Sequence, residues 1–252
     1  MKKLVLAASI VVFGTATASA ADLAPRYYKA PPPVVSPLYN CSGFYAGING
    51  GWGSSHNCWT RTATLGVPVL PVAVGCHDAS GGTVGGQVGY RWQASNWVFG
   101  LEAQGNWADF SGSNVSTAFP AVTNRTKIDA FGLFTGQIGY AWNNVLAYVK
   151  GGAAVTDNRY NGLVTATGTV FDTVSDTRWG GTVGVGVEYA FAPNWSAGLE
   201  YDHMFMGTNN YAFTSVSPVA GINTRNESIK QDVDLVTVRV NYRFGGPTVA
   251  RY

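Results

Sequence analysis

Eight charged side chains stand inside otherwise apolar, glycine-rich stretches of the sequence. Four are basic and four are acidic: Arg91, Lys150, Arg239, Arg243, Glu102, Glu188, Glu200 and Asp202. Opposite charges that leave bulk water need partners and hydrogen bonds. Because the numbers of basic and acidic residues are equal, we predict a buried ion-pair network. If the same groups surrounded a continuous column of water, they would instead form an ion pathway.

A second kind of chemistry would need a nucleophile and a base, and His203 is the one candidate base. It lies in the segment EYDHMFMGTN, on the parity that we assign to the outside of a strand. An enzyme that modifies lipid could place such a base at the membrane rim. No serine or threonine follows within two positions, and Thr208 comes later, so we predict no catalytic residue.

Histidines beside cysteines are a third candidate site, for a metal ion or haem at the surface. His56 and His77 each lie within two residues of a cysteine, Cys58 or Cys76. Imidazole and thiolate are metal ligands. An exported chain meets oxidising conditions, so we predict a Cys58–Cys76 disulfide that consumes both thiols, and no bound metal or cofactor. Cys41 is left as the odd cysteine.

The elements that position these groups show best between residues 84 and 107, where apolar and small or polar residues alternate. Trp97, Phe99 and Leu101 share one parity, and Glu102 and Gln104 share the other. Side chains alternate faces along a β-strand, so the stretch predicts a hairpin with a break at 93–96. Strands of about ten residues, apolar outside and polar inside with aromatic ends, are typical of transmembrane β-barrels.

The pattern recurs along the chain. The segment GQVGYRW at 86–92 returns as GQIGYAW at 136–142, and more loosely as GVEYAF at 186–191 and RVNYRF at 239–244. Such a repeat marks a modular architecture, here a hairpin plus a long loop. We predict eight strands, over residues 43–53, 84–92, 97–107, 128–142, 145–155, 178–191, 195–206 and 229–244. The four predicted long loops are 54–80, 111–127, 156–177 and 207–228.

Composition and the chain ends support an exported membrane barrel. Charged residues are 12%, about half the usual share of a soluble domain. Residues 1–20 have the basic start, apolar stretch and small-residue cleavage site of a signal peptide. Without Lys2 and Lys3, the 16 basic residues become 14, equal to the 14 acidic ones, so the mature chain shows no nucleic-acid footprint. Residues 21–42 read as a proline-rich periplasmic linker, 43–244 as the barrel and 245–252 as a tail.

No apolar run long enough for a transmembrane helix follows the signal peptide, which leaves a closed barrel as the way to span a bilayer. The expected fold is therefore an all-β, eight-stranded antiparallel up-and-down transmembrane barrel. Its three short turns would be periplasmic, its four long loops external, and both chain ends periplasmic. An eight-stranded barrel is just wide enough inside for side chains, so we favour a packed ionic plug over an ion pathway.

Taken together, the leader, the segment GFYAGINGGWG, the repeated GQVGYRW and GQIGYAW, VGVEYAF and VRVNYRF resemble the small OmpA-type, porin-like outer-membrane barrels of alphaproteobacteria. The resemblance covers nearly all of the mature chain. It implies a Gram-negative outer-membrane location among lipid and lipopolysaccharide, and insertion by barrel-assembly machinery and periplasmic chaperones. It also implies a terminal Tyr-x-Phe assembly signal, matched by Tyr242 and Phe244, although residues 245–252 follow here.

The function expected from these features is that of a structural surface barrel of the cell envelope, of a kind sometimes described as a surface antigen. The alternative is a narrow porin that passes small solutes, which would need continuous water past Lys150 and Glu200. A lipid-modifying enzyme or a surface haem or metal binder is less favoured. What the external loops bind and how many copies associate are left open.

Overall fold

A computed structural model describes residues 40–216 and 219–245. The predicted signal peptide, nearly all of the linker and residues 246–252 of the tail lie outside this part. Eight strands follow one another in the order β1 (Gly43–Thr64), β2 (Val67–Ala94), β3 (Trp97–Val115), β4 (Val122–Trp142), β5 (Val145–Val164), β6 (Val170–Ala192), β7 (Trp195–Ser215) and β8 (Asn223–Phe244). No helix in the described ranges is long and apolar enough to cross a membrane.

Every strand pairs antiparallel with its neighbours, and β1 pairs with β8 to close the barrel. The closing ladder runs from Phe44 opposite Phe244 to Thr64 opposite Arg225. Closure leaves no free sheet edge along the wall, which is the condition for crossing a bilayer with strands. The prediction of an eight-stranded up-and-down barrel is confirmed.

The predicted long loops are wrong in extent, because most of their residues continue the strands. The sequence predicts a loop over residues 54–80, yet β1 and β2 stay paired up to Thr64 opposite Val67. The connection is a two-residue turn in which Leu65 and Gly66 both have positive φ, 50° and 76°, the conformation of a tight hairpin. The other connections at this end, the tip end, span residues 116–121, 165–169 and 216–222.

Two levels of outward aromatic side chains bound an apolar band on the wall. One lies near the end that holds both termini of the described chain, the terminal end, and includes Phe44, Trp97, Trp142, Phe191 and Phe244. The other includes Trp52, Trp107, Trp179 and Phe205. Eight residues separate Phe44 from Trp52, about 20 Å along the axis of a barrel with strands tilted near 40°. Above the second level, which we call the upper ring, every strand continues for several further residues.

Close strand contact inside the wall requires glycine at position 51. A Cβ added to Gly51 would lie 1.9 Å from the Val236 carbonyl oxygen, whereas one on the neighbouring Gly50 would meet nothing closer than 3.5 Å. We expect Gly51→Ala to lower the free energy of unfolding by about 1–3 kcal/mol, since the backbone of β8 must move away. Urea titration of the folded barrel measures this loss. Gly50→Ala is the matched control, and equal losses for both variants would contradict the expected difference.

Candidate functional site

The interior holds a compact charged cluster supplied by β3, β5, β7 and β8. Lys150 Nζ lies 2.7 Å from Glu200 Oε1, 3.2 Å from Asp202 Oδ1 and 3.7 Å from Glu102 Oε1. Arg239 joins the same carboxylates, with Nη2 at 2.6 Å from Glu102 Oε2 and Nη1 in contact with Glu200. All five side chains are buried. Two cations thus link three carboxylates across the full width of the barrel.

Two inward tyrosines complete this cluster, and neither is among the residues that were predicted to form it. The Tyr45 hydroxyl donates to Glu102 Oε2 at 2.6 Å, and the Tyr148 hydroxyl donates to Glu200 Oε2 at 2.5 Å. Gln137 Nε2 donates in turn to the Tyr45 hydroxyl at 2.9 Å. Strand parity placed both tyrosines inside, but parity carries no information about contacts across the lumen.

A second ion pair lies closer to the terminal end. Arg91 binds Glu188 through two parallel hydrogen bonds of 2.9 Å, the bidentate geometry that suits guanidinium and carboxylate groups. Ser196 and Asn241 also donate to Glu188, at 2.5 and 3.1 Å. Arg243 donates to the Pro193 carbonyl at 3.0 Å. The structure therefore brings seven of the eight predicted charged residues into two buried groups and places Arg243 beside a turn.

An apolar layer fills the lumen on the tip side of the charged cluster, whereas the alternating pattern predicts polar residues inside the wall. Its members are Phe110, Ile128, Phe131, Leu133, Ala154, Met204, Met206, Val233 and Leu235. Register shifts explain part of the difference between the predicted polar interior and the observed apolar layer. On β4, Ile128 and Phe131 both face inward although their parity differs, because the pairing shifts between Ile128 and Ala130. A signal was available in β8, where Leu235 shares the parity of Arg239.

Beyond this layer lie buried aromatic side chains and a second charged cluster. Trp59 packs against Tyr160 and Phe213, with ring centroids 5.6 and 5.5 Å away. Glu227 Oε1 then accepts from Arg61 Nη2 at 3.1 Å and from Arg225 Nη1 at 3.0 Å.

Arg225 also reaches Asp172 at 2.9 Å, so this outer cluster has two charges of each sign. Burial raises the pKa of Glu227 above its usual value, while the two guanidinium groups oppose the shift. The Arg61 guanidinium lies 4.1 Å from the centre of the Phe119 ring, which belongs to the connection 116–121. That connection therefore covers the cluster at the tip end.

The candidate metal site is divided between the two faces of the wall. Cys58 and Cys76 form a disulfide between β1 and β2. His56 lies outside, with Nδ1 2.6 Å from Asp78 and Nε2 3.4 Å from Cys58 Sγ. His77 faces the interior, where Asn114 and Thr126 occupy its two ring nitrogens. The two histidines therefore cannot share an ion.

The candidates His203, Tyr242 and Phe244 lie on the outer wall, whereas Cys41 is inside the barrel. His203 Nδ1 lies 2.7 Å from Asp234 Oδ1, which also accepts from the Tyr201 hydroxyl at 2.5 Å, and the His203 ring packs on Phe205. This group is on the outer wall at the height of the upper ring. Cys41 is buried at the terminal end, where its backbone N–H donates to Gln93. The rings of Tyr242 and Phe244 lie 5.2 Å apart at the same end.

Comparisons with known proteins agree with this architecture. A family model described as the outer membrane protein beta-barrel domain matches residues 6–244. The chain is 29% identical to the 31 kDa outer-membrane immunogenic protein of Brucella melitensis, over 97% of this chain and 100% of the relative. It is 34% identical to a 22 kDa outer membrane protein of Rhizobium leguminosarum, over 53% of this chain and 57% of the relative.

Among solved structures, the crystal structure of the outer membrane protein OprG from Pseudomonas aeruginosa has a similar fold. The TM-score is 0.53 at 13% identity, over 82% of this chain and 99% of that one. The likeness concerns the barrel fold. Because the family model spans nearly the whole sequence and the barrel has the matching architecture, this chain belongs to the outer-membrane β-barrel protein family that includes small barrels of alphaproteobacteria.

Proposed function

We propose that this protein is a structural, non-conducting barrel of the outer membrane, with its tip end exposed to the exterior. The observation that carries the proposal is the stacking of five filled layers along the lumen. From the terminal end they are the two ion-pair groups, the apolar layer, the buried aromatic side chains and the outer charged cluster. No catalytic role is proposed for any residue.

The apolar layer is the strongest argument against a narrow pore. Charged groups could in principle line a water path, as the alternative of a small-solute porin requires. A constriction lined by side chains such as Phe110, Leu133 and Leu235, all 0% exposed, expels water and blocks ions. On the terminal side of the apolar layer, Lys150 and Arg239 bind carboxylates from other strands across the lumen. These contacts occupy the space through which water and ions would have to pass.

The orientation follows from the chain connectivity of such barrels. Bacterial barrels keep short turns on the periplasmic side. The connections at 95–96, 143–144 and 193–194 are all two residues long and lie at the terminal end, whereas three of the four tip-end connections span five to seven residues and only the one at 65–66 spans two. We therefore propose that both chain ends are periplasmic and that the tips are the antigenic surface, in line with the word immunogenic in the name of the Brucella relative.

This role implies two groups of partners. Lipid and lipopolysaccharide would surround the apolar band, and the assembly machinery and chaperones would recognise Tyr242 and Phe244. Phe244 is outward and ends β8, so the pair lies at the seam where β8 closes on β1. A signal at this seam would be read before closure.

Planar-bilayer recording on purified, folded protein tests the plug. We expect no single-channel steps from protein whose folding is shown by its faster gel migration before boiling. Reproducible steps that change in Lys150→Gln or Glu200→Gln, but not in the outer-wall control Lys230→Gln, would contradict the proposal and establish the narrow pore. Lys230 is a suitable control because its side chain is 64% exposed and lies outside the lumen.

A further inference from the structure

The tip end of the barrel exposes aliphatic and aromatic side chains on or beside all four connections, and we call this set the apolar crown. Its members are Leu65, Val67, Val69, Leu70, Val72, Val115, Phe119, Val164, Val216, Val219 and Ile222. The first hairpin contributes the largest share, and Leu70 is 86% exposed. Contiguous exposed apolar side chains are unusual on a surface that faces water and mark sites of interaction with a protein or a membrane.

The crown is too far from the apolar band to be covered by the bilayer that the barrel spans. Thirteen residues of β1 and its turn separate Trp52 of the upper ring from Leu65. At about 3.3 Å per residue and a tilt near 40°, this segment extends the wall by about 30 Å. The outer wall between the upper ring and the crown carries polar and charged residues such as His56, Asp78, Lys127 and Arg159. The crown is thus a separate apolar surface with a polar collar beneath it.

The first hairpin tip is suited to entering lipid because it brings no charge with it. Residues 62–75, TATLGVPVLPVAVG, contain no Asp, Glu, Lys, Arg or His. The turn backbone is paired, with Leu65 N–H donating to the Thr224 carbonyl and Thr64 opposite Val67. Residues 69–71 form a bulge without a partner on β1, because the pairing shifts between Arg61 opposite Val72 and Ala63 opposite Pro68. Pro71 has no N–H, so insertion would remove apolar area from water at the cost of the few polar backbone groups of this bulge.

Pairing with another protein strand is opposed by the same segment. Strand addition needs a continuous row of backbone donors along an exposed edge. Pro68 and Pro71 have no N–H, and proline on an edge is a known device against such pairing. The crown also involves residues at all four connections of the tip end, so a folded partner would need a surface that matches all of them, whereas a fluid bilayer would not.

We propose that the apolar crown inserts into the interface of a second lipid bilayer, one that faces the tip end and is distinct from the bilayer that the barrel spans. The proposal rests on the outward orientation of the tips given above. It assigns the protein a membrane-apposing surface in addition to its structural role, and the ligand class is uncharged or zwitterionic lipid.

The test uses the full mature chain in nanodiscs, which supply its own bilayer, mixed with sucrose-loaded vesicles of phosphatidylcholine. We expect the wild-type nanodiscs to sediment with the vesicles. Leu65→Ser/Leu70→Ser should weaken this binding at least about tenfold, because two exposed leucines lose their transfer free energy. Asn209→Ser/Asn210→Ser, a double change at exposed polar positions of β7, is the matched control.

Each other outcome overturns the proposal. Wild-type nanodiscs that stay in the supernatant show that the crown does not enter lipid. Binding that falls steeply with salt, or that needs anionic lipid, assigns the contact to the charged wall around Lys127 and Arg159, since apolar insertion is insensitive to screening. Nanodiscs that pair without vesicles, through Leu65 and Leu70, identify a second copy as the partner. Gel migration before boiling confirms that every variant is folded, and bilayer recordings of the plug are independent of these results.

Discussion

Replacing Arg239 by methionine is expected to lower the free energy of unfolding of the barrel by about 3–5 kcal/mol, the range for removing one partner of a buried ion pair. Arg239 is 1% exposed and is bound to Glu102 and Glu200, whose side chains are equally inaccessible. The variant would leave three carboxylates facing Lys150 alone. Equilibrium unfolding in urea, followed by tryptophan fluorescence in lipid vesicles, measures the loss.

Two further variants separate buried pairing from charge in general. Lys230→Met removes a cation from the outer wall, where an exposed pair with Asp232 at 3.6 Å contributes about 0–1 kcal/mol or less. Arg239→Met/Glu102→Gln removes one of the carboxylates that Arg239 neutralised. We expect this double variant to be more stable than Arg239→Met alone. If the single and double variants unfold at the same urea concentration, the cluster is not held by charge compensation.

The second large effect is expected in the apolar layer. Leu235→Ala should lower the free energy of unfolding by about 2–5 kcal/mol, because the loss of transfer free energy adds to the cost of an unfilled cavity. Leu235 is fully buried among the side chains of this layer, including Val233 and Met204. The same urea titration detects the change.

Leu101→Ala is the matched control for the cavity. Leu101 lies on the outer wall and is 59% exposed, so lipid chains can fill the space that its side chain leaves. This variant should lose the transfer free energy without the cavity cost, and its loss should be the smaller of the two. Equal losses would mean that the interior at this height is fluid or hydrated, which would also weaken the argument for a closed lumen.

The two variants report on different layers of the proposed plug. If the lumen held only the charged cluster, water could reach it from the tip side. If the lumen held only the apolar layer, no ion pairs would be needed. Because the two layers are stacked, the charges are closed off from water on the tip side and each contact has a low-dielectric surrounding. In such a surrounding each of the five ionisable groups needs its partners, because an unpaired buried charge is strongly destabilising.

Alternation by twos was sufficient to predict the wall within the bilayer. Trp97, Phe99 and Leu101 must face lipid, so the contrast with Glu102 and Gln104 is strong and identifies both the strand and its faces. Above the upper ring the outside of the wall meets water. There Thr60 and Thr62 alternate with the buried residues Trp59 and Arg61, so the two faces of the strand no longer differ clearly in polarity. The strand extensions were consequently predicted as loops.

The sequence by itself determined the number of membrane-crossing strands and the face on which each charge lies, because a lipid-exposed strand permits only one pattern. Tertiary structure decided which charges meet, since Arg239 and Glu102 are 137 residues apart and become neighbours only when the barrel closes. It also decided where the apolar layer lies, because register shifts at Ile128 and near Gly207 change parity locally without a clear mark in the sequence. Pairing across a lumen depends on closure and stagger, and no local pattern encodes either.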